Sequence, residues 1–157
     1  MGQAYFYHLT DSPLAQALPI LIERARAAGW RVAVRGPDAE TVAQLDSTLW
    51  GGAEDGFLAH GLAGGAHDGL QPVLLCAADQ AVTNGAACLM TVGGAEVAAA
   101  DISAFERVCV MFDGLDGAAV AVARTQWKAV TEAGHAALYW AQEDGRWTKK
   151  TESAASA

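Results

Sequence analysis

Positive charge is scarce in this chain. Ten Lys and Arg stand against 18 Asp and Glu over 157 residues, a formal net charge of −8. Such an acidic surface excludes a direct grip on a nucleic-acid backbone, which needs clustered cations. An acidic ligand would need a local basic pocket. Cysteine is also scarce. Cys76, Cys88 and Cys109 are an odd, widely spaced set without a C-x-x-C motif, which excludes a disulfide framework and a Cys-based zinc site. Each lies in an apolar run, where Cys acts as a small buried hydrophobe. The four histidines, His8, His60, His67 and His135, have no metal-type spacing. No apolar run approaches the roughly 20 residues of a membrane helix. The start lacks a basic segment followed by a long apolar one, so the expectation is a cytoplasmic protein without a signal peptide or membrane contact.

What is present suits one globular domain. Apolar residues make up 52% and charged residues 18%, enough for a proper core at this length. Residues 4–9 (AYFYHL) read as a buried strand. Thr10-Asp11-Ser12-Pro13 then opens a helix, with Leu14, Ala17, Leu18, Leu21, Ile22 and Ala25 at helical spacing, and Gly29 stops it. Residues 31–35 (RVAVR) read as a strand. Pro37-Asp38 opens a second helix with Val42, Leu45 and Leu49 on one face, ending near Trp50.

A Gly-rich connection of about twenty residues, 51–71, follows; loops of that length usually serve a function or a partner. Residues 73–77 and 87–92 read as strands around a turn at Thr83-Asn84-Gly85. Ser103, with Glu106 three residues on, predicts a capped helix over 103–112. A longer helix is expected over 115–133, then a strand over 136–142 and a short continuation over 146–150. The expectation is one three-layer α/β domain, residues 1–150, with a mostly parallel central sheet, followed by a disordered tail over 151–157.

That pattern is Rossmann-like, yet the first β–α junction, LTDSPL, has none of the glycines a dinucleotide pyrophosphate needs. No Walker lysine follows a glycine loop. His8, at the end of a buried strand, reads as a satisfied core histidine. An enzyme would have to use a pair such as His60 with Asp55, and neither a nucleophile elbow nor a paired-carboxylate motif accompanies them. A small-molecule or nucleotide-binding enzyme stays as the alternative reading.

Five segments in order resemble the chi subunit family of bacterial DNA polymerase III. LDSTLWGGAEDGFLAHGLAG, residues 45–64, is similar to that family's leucine-rich helix ending in Trp and the loop F-x-P/A-H-x-L-A-G, with Trp50, Phe57, His60, Leu62, Ala63 and Gly64 at the motif positions. FYHL with its Pro-containing helix, QPVLL with NGA, FERVCVMFDG, and ARTQWKAVTEAGH with ALYW complete the resemblance, from Tyr5 to about Lys149.

The resemblance implies a non-catalytic replisome adaptor without a cofactor. It would pair with the psi subunit of the clamp loader and bind the acidic C-terminal tail of single-stranded DNA-binding protein, which ends in Pro-Phe. It would reach DNA only indirectly, and some relatives also serve a repair helicase. Arg124 aligns with the family's tail-binding arginine. Arg124, Trp127 and Lys128 fall at i, i+3 and i+4 on one helix face, which offers cations for carboxylates and a wall for an aromatic ring. Val120 and Thr131 stand where relatives are often basic. Phe57 aligns with a residue implicated in psi contact. Trp50 divides evenly between psi contact and core packing. Arg146, Lys149 and Lys150 read as a solvated basic end.

Overall fold

A computed structural model describes residues 2–51, 59–144 and 146–154. Thirteen elements follow one another there: β1 (Gln3–Leu9), α1 (Leu14–Ala27), β2 (Val32–Gly36), α2 (Ala39–Trp50), β3 (Gly61–Leu62), a 3-10 turn (Asp68–Leu70), β4 (Val73–Ala77), β5 (Cys88–Thr91), α3 (Ala99–Ala104), β6 (Arg107–Asp113), α4 (Gly117–Glu132), β7 (Ala136–Glu143) and β8 (Arg146–Ser153). The strands form one sheet in the order β3-β4-β2-β5-β6-β1-β7-β8. Every described pairing is parallel except β7 with β8.

The central strands are apolar at consecutive positions because both faces are covered. Val73, Leu74, Leu75, Cys76 and Ala77 are all buried. On one face Leu18, Leu21 and Ile22 of α1 and Val42, Leu45 and Leu49 of α2 pack on Tyr7, Leu9, Val34, Leu75 and Met111. On the other, Ile102 of α3 and Ala123 and Val130 of α4 pack on Phe6, Leu89, Val108, Phe112 and Ala137. Two buried faces make the three-layer α/β domain that the alternation of periods predicts. Asp38 fixes the start of α2, its carboxylate accepting from the Thr41 amide at 2.8 Å.

Two expectations are corrected. The helix over 103–112 is instead the last turn of α3 followed by β6. Val108 to Phe112 are buried on both faces, and β1 and β5 flank them as parallel ladder partners. Those partners are distant in sequence, so the local capping signal of Ser103 and Glu106 was outvoted by tertiary pairing. Asp101, rather than Ser103, organises the start of α3: its carboxylate accepts from the Ala98 amide at 2.9 Å and pairs with Arg35 at 2.9 Å. The start of the tail is the second case, residues 155–157 lying outside the described residues. Thr151, Glu152 and Ser153 extend β8 opposite Tyr139, Leu138 and Ala137, because the antiparallel ladder supplies backbone partners that composition alone does not reveal. Charged side chains on this edge strand, Lys149 paired with Glu152 and Lys150 with Glu143, discourage pairing with a further strand.

Candidate partner-binding site

The site is built on α4. Asp116 caps that helix, accepting from the Ala118 and Ala119 amides at 3.0 and 3.4 Å. Ala123 and Val130 turn into the core, and Trp127, one turn from each, lies half-buried at the border. The Trp127 ring meets Phe6 of β1 edge-on with centroids 5.3 Å apart, and Tyr139 of β7 at 6.0 Å. Arg124, one turn earlier, is exposed.

The structure brings two further residues to this face. The Tyr139 hydroxyl lies 2.6 Å from Nδ1 of His8. Burial pushes the Tyr139 phenol up, and the positive charge of Arg124 opposes that rise. His8 packs closely against Gly114, where a Cβ would come within 1.8 Å of the ring. Gly114 is needed for that close approach, because any side chain would displace the imidazole. The result is a cation beside a wall of Trp127, Tyr139 and His8. His8 is satisfied, as expected, but at the edge of this site. Tyr139 was missed: the strand pattern of ALYW marks it as buried or exposed, not as a neighbour of α4.

Lys128 is less available. It is exposed and 3.9 Å from Glu132 on the next turn. Val120 packs against the core, and the Thr131 hydroxyl donates back to the Trp127 carbonyl at 2.9 Å. Arg124 is therefore the principal cation on this stretch of α4.

Trp50 lies far from this face, on the α2 layer. Phe57 and Asp55 fall outside the described residues. Trp50 is 53% exposed, so the core-packing option for it fails. Its indole N–H donates to Asp46 Oδ1 at 3.1 Å, and its ring lies 4.2 Å from that of the buried His60. His60 Nε2 in turn sits 3.2 Å from the same carboxylate oxygen. One Asp46 oxygen thus ties the end of α2 to the start of β3.

The loop after β1 explains the missing nucleotide fingerprint. The amides of Thr10, Asp11 and Ser12 all point at Gln142 Oε1, at 3.0, 3.0 and 3.1 Å. Consecutive amides of this kind form an anion-binding concavity; here a carboxamide of β7 fills it. Among the described residues there is no cluster of three or more His, Cys, Asp or Glu placed to hold a metal, and no helix long and apolar enough to cross a membrane.

Residues 1–137 match the family described as DNA polymerase III chi subunit, HolC. No curated protein matches the chain closely. With that match spanning most of its length, the chain belongs to the chi subunit family of DNA polymerase III, whose work lies in DNA replication.

Proposed function

We propose that the chain is a non-catalytic adaptor of the clamp-loader complex, pairing with psi and binding the acidic C-terminal tail of single-stranded DNA-binding protein. One observation carries the tail reading: Arg124 is exposed on α4 one turn before Trp127, whose ring meets that of Tyr139, in a chain of net charge −8. A carboxylate-rich peptide ending in Phe needs that combination. The guanidinium pairs with carboxylate, and the rings flank an aromatic side chain. Lys128 adds positive potential, tempered by Glu132.

The psi reading is supported by the half-exposed Trp50 at the end of α2, next to the segment that contains Phe57. Exposed aromatic anchors of this type dominate many interfaces. A repair helicase is a further partner consistent with the family, and pull-down from cell extract separates it from clamp-loader membership. The chain would act in the cytoplasm and meet DNA only through its partners. The nucleotide-enzyme alternative is weakened by Gln142, which occupies the concavity a phosphate would need.

Titration of the tail peptide, with and without its terminal Phe, against the native chain and Arg124→Ala tests the tail site. Loss of the arginine should weaken the full peptide at least tenfold, since hydrogen bonds to charged groups contribute about 1.5–3 kcal/mol. Equal affinity in all four combinations, with the fold intact, would refute the site.

A further inference from the structure

On the other flank of α4 a cavity of about 750 Å³ opens at the carboxyl ends of β1, β5 and β6. Its position follows from topology. The connection from β1 runs through α1 on one face to β2, whereas that from β6 runs through α4 on the other face to β7. The two leave neighbouring strands in opposite directions, which makes a switch point, the place where open α/β sheets bind ligands.

This crevice has the wrong chemistry for a phosphate. Its lining contains no Lys, Arg or His. The amides of the β1–α1 loop are taken by Gln142. Those at the start of α4 are taken by Asp116, and the Leu115 amide by Asp113 at 2.9 Å. Asp11, Asp113 and Asp116 leave the lining negative, while Leu14, Leu115 and Val122 supply apolar surface. Leu115 is 78% exposed and Val122 41% exposed, unusual for large aliphatic residues flanking a cavity.

We infer that this crevice docks a basic, aliphatic segment of a partner protein: a leucine-type anchor against Leu115 and Val122, flanked by lysine or arginine facing the carboxylates. Charge complementarity chooses this occupant. A second copy of the chain would bring its own net charge of −8 and be repelled, and an acidic tail would meet three carboxylates. The inference stands apart from the tail reading. α4 would then separate two grooves of opposite preference, one for an acidic peptide on the Arg124 side and one for a basic peptide on the Val122 side.

The test uses the full-length chain, isotope-labelled for amide NMR, and a capped lysine–leucine–leucine–lysine peptide as probe. Saturable shifts are expected at Gly94, Leu115 and Val122. The same peptide with glutamates for lysines should leave them unmoved, as should ATP. Asp11→Asn with Asp113→Asn should weaken the probe at least tenfold. Val122→Lys, an exposed substitution that spares the core, should abolish it, with thermal unfolding confirming that each variant is folded. The idea is overturned by absence of saturable binding, by shifts confined to other surfaces, by equal binding of the glutamate peptide, or by ATP filling the crevice. Concentration-dependent shifts without any peptide would assign the surface to self-association instead and overturn it too.

Discussion

His8 on β1 and Tyr139 on β7 join side chain to side chain, 2.6 Å from ring nitrogen to hydroxyl. In the parallel register Phe6, not His8, is opposite Tyr139, so the bond runs diagonally and ties two strands under α4. A hydrogen bond of this kind contributes about 1 kcal/mol net. Tyr139→Phe should therefore lower the urea midpoint by an amount of that order. An unchanged midpoint would mean that water serves both groups equally well.

Alkaline pH should weaken the fold. Burial pushes up the phenols of Tyr7 and Tyr139, so the folded state favours their neutral forms. The stability they contribute is fully present below the ordinary tyrosine value of 10.0 and is lost as pH rises through the higher folded values. Urea unfolding between pH 9 and 12, on the order of the tyrosine range, should show declining stability, and Tyr139→Phe should shallow the slope. An unaltered slope would assign the decline to other groups.

Binding of the acidic tail should fall as salt rises, because Arg124 is exposed and its field is screened. Arg124→Lys should restore only part of the affinity, since a planar fork matches a carboxylate better than an ammonium does. Full restoration would show that point charge alone suffices. Full affinity at high salt would show that the aromatic wall dominates.

At the psi surface, Phe57→Ala should cost about 2 kcal/mol or more of binding, the usual loss at an aromatic anchor. Asp46→Ala should act differently. It strips the carboxylate that serves both Trp50 and the buried His60, so it should lower stability by about 1–3 kcal/mol and shift Trp50 fluorescence. Unchanged psi affinity in a folded Phe57→Ala variant would remove that residue from the interface.

The thiols should be inert in the native state. Burial pushes Cys76 up to about 11. The Cys109 and Cys88 sulfurs lie 3.9 Å apart, a contact that raises Cys109 well above the ordinary value and lowers Cys88, so for Cys88 it is burial that keeps reagents away. A disulfide reagent at pH 8 should modify the three cysteines only after unfolding. Rapid reaction of the native protein would contradict their burial.

The sequence by itself determined most of the architecture. Strand periods in 4–9, 31–35, 73–77 and 136–142, and helical periods in α1, α2 and α4, are local signals set by side-chain burial. They settled the α/β class before any contact was known. The motif around Trp50 and His60, with the alignment of Arg124, was legible for the same reason: residue types at fixed spacing need no coordinates.

Tertiary structure alone decided the rest. β6 is a strand because β1 and β5 flank it, although Ser103 and Glu106 promised a helix. Thr151 to Ser153 are ordered because β7 offers a ladder. Tyr139 and His8 join Arg124 only through the packing of α4 on β1 and β7. Gln142 closes the anion concavity from 130 or more residues away in sequence. Each of these depends on contacts between segments remote along the chain, and local periodicity carries no record of which remote segment will arrive.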